Sequence, residues 1–207
     1  MNSVKFTYFD FPGGRGEPIR MVLSIAGIQY EDERISFEQF GEMRSNLPLK
    51  AVPVMETDGV TYTQTNAMLR YAGRLANLYP SDAKEAFACD EILDIGEDVF
   101  HGLVKTLGLE GDELKQARDL FCAGILTDAL ALYAVRLEAS SSSFVIGDTL
   151  SIADIKIMGT VQMVLSGMMD HVPTDLVEKT APTLLAHLKT VSSEPRVAAY
   201  LATLATD

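Results

Sequence analysis

The 207-residue sequence predicts a small mixed α/β domain in the order β-α-β-α-β-β-α, followed by an all-α domain. Three observations carry that prediction. Strand-like alternation and short helical patterns interleave through the first 78 residues, whereas from about residue 83 the β signal disappears and long helical periodicities take over. Between the two lies "YPSDAK", residues 79–84, a polar connector with a proline. Charge divides at the same place: residues 1–80 hold 8 Lys and Arg against 9 Asp and Glu, net −1, while residues 81–207 hold 9 against 20, net −11. The expected domains are therefore 1–78 and 85–207, joined by 79–84.

In chain order, Val4, Phe6 and Tyr8 alternate with Lys5 and Thr7 as in a half-buried strand. "GEPIRMVLSIAG" then places Ile19, Val22, Leu23 and Ala26 on one helical face and stops at Gly27. "YEDERIS" is a weak second strand and "FEQFGEMRSN" a short helix. "AVPVMETDGVTYTQ" reads as two strands hinged at Asp58-Gly59, and "TNAMLRYAGRLANLY" as a helix. In the second domain long helices are expected over 84–108, 112–138 and 151–168, with a shorter pair after Pro173 and Pro182; "SSSS" at 140–143 is a loop. In "GDTLSIADI", Ser151 and Asp154 have the spacing of a capping box, a folding signal.

Composition removes several function classes. With 47% hydrophobic residues the chain has ample core. No segment reaches the roughly 18 uninterrupted apolar residues of a membrane span, and the N-terminus lacks the pattern of a secretory leader. Cys89 and Cys122 are far apart and show no metal-ligand spacing, which fits a reducing cytoplasm and a protein that needs no metal. A net charge of −12 without clustered Lys and Arg argues against nucleic acid.

The stretch with chemistry is "YFDFPGGRGEPIR", residues 8–20, where a strand passes into a helix with a tyrosine, glycines and two arginines close together. A tyrosine ending a strand is by itself usually structural. In "AVPVM", Pro53 stands at a strand entrance, where a cis Val52-Pro53 bond would turn the Val52 backbone outward to pair with an extended peptide.

Taken together, the β-α-β-α-β-β-α unit with "VP" before its third strand, the connector, and the G-x-x-x-S-x-x-D motif from Gly147 to Asp154 resemble a cytosolic glutathione S-transferase over essentially the whole chain. "YFDFPGGRGEPIR" is most similar to the sigma class and its glutathione-dependent prostaglandin D synthase relatives. The resemblance implies a thioredoxin-like first domain, glutathione as co-substrate and a homodimer. It implies that Tyr8 hydrogen-bonds the glutathione sulfur and that Arg15 supports the thiolate, both catalytic. It further implies glutathione contacts from Phe40, Arg44, Lys50, Val52, Pro53, Gln64 and Thr65, and from Asp98 across the dimer, with Asp94 and Glu97 as neighbouring alternatives.

An apolar electrophile would then lie in a dry pocket between the domains, walled by Phe9, Phe11, Phe100, Leu103, Val104 and the C-terminal "YLATLATD". Two departures from the family pattern stand out. The turn after Tyr8 is one residue longer, and Lys105 stands where the prostaglandin synthases place a Trp, which favours conjugation over isomerisation. The rival readings are a non-catalytic glutathione or hydrophobic-ligand carrier or structural protein of the same fold, and a glutathione-dependent prostaglandin isomerase.

Overall fold

The computed structural model describes residues 4–204. β1 (Val4–Phe9), α1 (Glu17–Ile25) and β2 (Tyr30–Ile35) form a strand–helix–strand unit, with β1 parallel to β2 from Val4 opposite Tyr30 to Phe9 opposite Ile35. α2 (Phe37–Met43) and two tight helical turns lead to β3 (Val54–Thr57) and β4 (Val60–Tyr62). These strands reverse at Asp58 and Gly59, whose φ angles of 55° and 74° are those a two-residue hairpin demands. The sheet runs β2-β1-β3-β4, antiparallel beyond β1, and α3 (Thr65–Leu75) closes the unit.

β1 departs from simple alternation. Thr7 is buried along with Val4, Phe6 and Tyr8, because β1 is an inner strand and the Thr7 hydroxyl donates to Glu33 Oε2 at 2.7 Å across the pairing with β2. The edge strand β2 is charged: Lys5 Nζ bridges Glu31 at 3.1 Å and Glu33 at 2.7 Å, a composition that discourages further strand pairing. On α1, Ile19, Val22 and Leu23 are fully buried. So is Arg20, whose Nε donates to both oxygens of Asp32 at 2.9 and 3.0 Å, the structural ion pair that a lone arginine on an apolar helix face requires.

The second layer is α4 (Ala83–Val104), α5 (Gly111–Phe121), α6 (Thr127–Ala139), α7 (Ile152–Leu165), α8 (Leu176–Thr180), α9 (Thr183–Ser193) and α10 (Pro195–Leu204). Three expectations need correction. The helix read over 112–138 is broken by a wider turn over Cys122–Leu126, where Gly124 leaves helical geometry and Thr127 Oγ1 donates to the Cys122 carbonyl at 2.7 Å. The long helices read to 108 and 168 end at Val104 and Leu165. The closing pair is three helices, because Pro195 starts a helix of its own. The run Gly111–Ala139 is long and apolar enough to cross a bilayer, yet here it places Ala129, Leu130, Tyr133 and Ala134 in the core.

The two layers share one hydrophobic core. Gly73 of α3 lies so close to α7 that a Cβ there would sit 2.8 Å from Ile152 Cγ2. Ile152 N–H donates to Leu78 O at 2.9 Å, Asn66 Nδ2 to Asp94 Oδ1 at 2.8 Å, and Arg70 Nη1 to Asp90 Oδ1 at 3.0 Å. The expected capping box at Ser151 and Asp154 is present and starts α7.

Candidate active site

Tyr8 is the last residue but one of β1, with 5% of its surface exposed, and its hydroxyl oxygen accepts the backbone N–H of Arg15 at 3.2 Å. Two glycines permit that approach. Gly14 has φ of +66°, and a Cβ there would sit 2.9 Å from Tyr8 Oη; at Gly16 it would sit 2.4 Å from Tyr8 Cδ1. Burial raises the Tyr8 pKa, with the Arg15 N–H opposing that shift. The phenol therefore keeps its proton at neutral pH, and with an oxygen lone pair already engaged that proton is available to an anion.

Gly16→Ala is expected to cost about 1–3 kcal/mol by forcing a methyl into the Tyr8 ring. A lower urea midpoint would register it, and an unchanged midpoint would disprove the close packing.

Arg15 is held from the other domain. Its Nε donates to Glu97 Oε2 at 2.8 Å and its guanidinium lies 5.1 Å from the centre of the Phe100 ring. Glu97 Oε1 in turn accepts from Lys156 Nζ at 2.6 Å. Burial alone would raise the Glu97 pKa, but Lys156 and then Arg15 overcome it and hold the carboxyl below its ordinary range. Burial pulls Lys156 downward, with Glu97 opposing. Sequence reasoning weighed Glu97 only as a dimer residue and missed Lys156. The available signal was a single lysine in the apolar run "SIADIKIM".

Beside Arg15 opens a cavity of about 190 Å³ lined by Val52, Pro53, Gln64 and Thr65, together with Pro48, Leu49, Ala51, Thr63, Glu97 and His101. Val52-Pro53 is cis, as the strand entrance led one to expect. Gln64 has φ of +76° immediately before α3, and the buried Thr65 opens that helix, so backbone N–H groups converge on the cavity's edge.

The remaining predicted residues lie outside the cavity lining. Phe9, Phe11 and Phe40 form an aromatic cluster with Phe37, with Phe9 and Phe37 centroids 4.5 Å apart. Arg44 folds over the Phe40 ring at 5.7 Å and donates to the Lys50 carbonyl at 3.2 Å. Lys50 and Asp98 are exposed and outside the cavity lining. The expected wall on α4 does not form as one face: Phe100 lies under Arg15, Leu103 is buried in the core and Val104 is 43% exposed, because the adjacent residues Leu103 and Val104 stand about 100° apart around the helix. The C-terminal segment packs on α1, where Tyr200 Oη donates to Glu17 Oε1 at 2.6 Å and borders a separate cavity of about 300 Å³ with Tyr30 and Arg34. Residues 205–207 of that segment lie outside the described residues.

Comparison with known proteins agrees with this fold. Residues 4–74 match the family described as glutathione S-transferase, N-terminal domain, and residues 97–203 the glutathione S-transferase, C-terminal domain. The chain belongs to the glutathione S-transferase family. Among the family's members, the class-mu 28 kDa isozyme of Schistosoma mansoni is 30% identical over 96% of this chain and 94% of its own. Two solved transferase-fold structures each cover 97% of both chains: prostaglandin synthase D of Nilaparvata lugens (TM-score 0.83, 25% identity) and monomeric Na-GST-3 of the hookworm Necator americanus (TM-score 0.82, 26% identity). The Tyr8–Arg15–Glu97–Lys156 chain in this transferase lies where the two matched regions meet.

Proposed function

We propose that the protein is a tyrosine-dependent glutathione transferase in which the Tyr8 hydroxyl donates to the glutathione sulfur and Arg15 adds fixed positive charge, so that the thiolate forms near neutral pH and attacks an apolar electrophile. The observation that carries this reading is the Tyr8 hydroxyl engaged as an acceptor by the backbone N–H of Arg15, a residue that itself lines the cavity with Val52, Gln64 and Thr65. Val52 offers backbone for the cysteinyl residue, and the start of α3 suits the γ-glutamyl carboxylate. Arg44 and Lys50 supply charge for the glycine carboxylate next to the aromatic cluster of Phe9, Phe11 and Phe40, which offers flat apolar surface to the second substrate. We place the protein in the sigma class on the Tyr8 turn, and in the cytoplasm on two buried, reduced cysteines.

A homodimer is part of this proposal: Leu49, Tyr62 and Phe87, 71%, 51% and 74% exposed, provide apolar surface, and Asp98 would reach the partner's glutathione. A second reading, glutathione-dependent prostaglandin isomerisation, is favoured by the likeness to the Nilaparvata lugens synthase. The test is calorimetric titration of glutathione together with conjugation to 1-chloro-2,4-dinitrobenzene. Binding with turnover supports the transferase, binding without turnover supports a carrier, and no binding overturns both.

A further inference from the structure

α4 brings Asp90, Glu91, Asp94, Glu97 and Asp98 to one stretch of helix beside the place where a thiolate would form, in a domain of net charge −11. An anion there needs compensation. Asp90 is met by Arg70, Glu91 by Arg136 and Asp94 by Asn66. Glu97 is the member that touches Arg15, and a carboxylate at 2.8 Å would cancel the charge of that arginine toward a neighbouring sulfur.

The chain answers with a lysine inside the protein. Lys156 is 4% exposed in α7, whose one other charged residue is the capping Asp154, and it reaches Glu97 at 2.6 Å. Its stem occupies space left open by Gly96 of α4, where a Cβ would come within 2.3 Å of Lys156 Cε. A buried lysine of this kind is costly unless paired, so both its slot and its partner are specific. With Lys156 protonated, the cluster of Arg15, Glu97 and Lys156 carries one net positive charge; without it the cluster is neutral.

We propose that Lys156 is a positioning residue for thiol activation: its buried ammonium anchors Glu97, holds Arg15 through that carboxylate, and leaves the cluster with net positive charge toward the glutathione sulfur. This rests on the transferase reading above. The other charged or titratable groups around the cluster are Asp94, Asp98 and His101 of α4, Tyr8 of β1, Arg20 of α1 and Tyr133 of α6.

The test is the pH dependence of kcat/KM for conjugation in four proteins: wild type, Lys156→Met, Glu97→Gln and the double variant, with thermal unfolding as a fold control. Asp94, Asp98, His101, Tyr8, Arg20 and Tyr133 are common to all four and cancel in the comparison. Lys156→Met is expected to move the acid limb upward by about one pH unit, a roughly tenfold loss at pH values below it. Glu97→Gln moves the limb downward, and the double variant, with net charge restored to one positive, returns close to wild type. If Lys156→Met unfolds because it strands Glu97, the double variant measured against Glu97→Gln still isolates the lysine charge. A limb unmoved in both comparisons overturns the proposal and leaves Lys156 as packing. A wild type that neither binds glutathione nor turns over sinks the transferase reading instead.

Discussion

Tyr8→Phe is expected to slow glutathione conjugation about 10- to 100-fold while glutathione affinity stays within about twofold, the size of one hydrogen bond to a charged partner. The reasoning starts from the acceptor side of the hydroxyl. Arg15 N–H occupies a lone pair at 3.2 Å, and burial keeps the phenol protonated, so the group that faces an incoming sulfur is the O–H. Phenylalanine fits the same slot against Gly14 and Gly16 without the hydroxyl, and packing is preserved. The loss should appear chiefly in kcat, with the thiol pKa in the binary complex moving upward, because a donor to the thiolate has gone. Retention of full rate in Tyr8→Phe would remove the tyrosine from the mechanism.

Asp154→Ala is expected to produce the largest stability change, about 3–5 kcal/mol, and a fall in Tm of roughly 6–20 °C for a chain of this size. The carboxylate is wholly buried and accepts four contacts: Val145 N–H at 2.8 Å, Ser151 N–H at 2.8 Å, Ser151 Oγ–H at 2.8 Å, and His187 Nε2 at 2.9 Å. Alanine strands all four polar groups in a dry interior and empties the space as well. Asp154→Asn, which keeps shape and an acceptor, should lose less. Differential scanning calorimetry of the three proteins decides the matter. Equal Tm values would show that the network is not a major contribution, and a variant that folds at low temperature should still conjugate glutathione, since Asp154 lies outside the site.

How much of this was readable in advance differs between local and distant features. The β1-α1-β2 order, the Asp58-Gly59 reversal and the capping box at Ser151 were legible because each depends on neighbours within a few residues. The break at Gly124 was not, since an isolated glycine in a periodic helix stays helical unless tertiary packing makes it yield. Leu103 and Val104 show the same limit on a smaller scale: periodicity marks an apolar stripe, but not which neighbour that stripe meets.

The site divides along the same line. Tyr8, Gly14 and Arg15 lie within one turn, so the sequence alone determined that they would meet, along with the fold class and the charge division at residue 80. Only the tertiary structure decided that Glu97 would take Arg15 rather than face solvent, that Lys156 would lie 59 residues further on at the same carboxylate, and that Gly96 would make room for it. The physical reason is that a charge finds its partner by which helix faces pack together, and that packing is set by shape complementarity across the whole core.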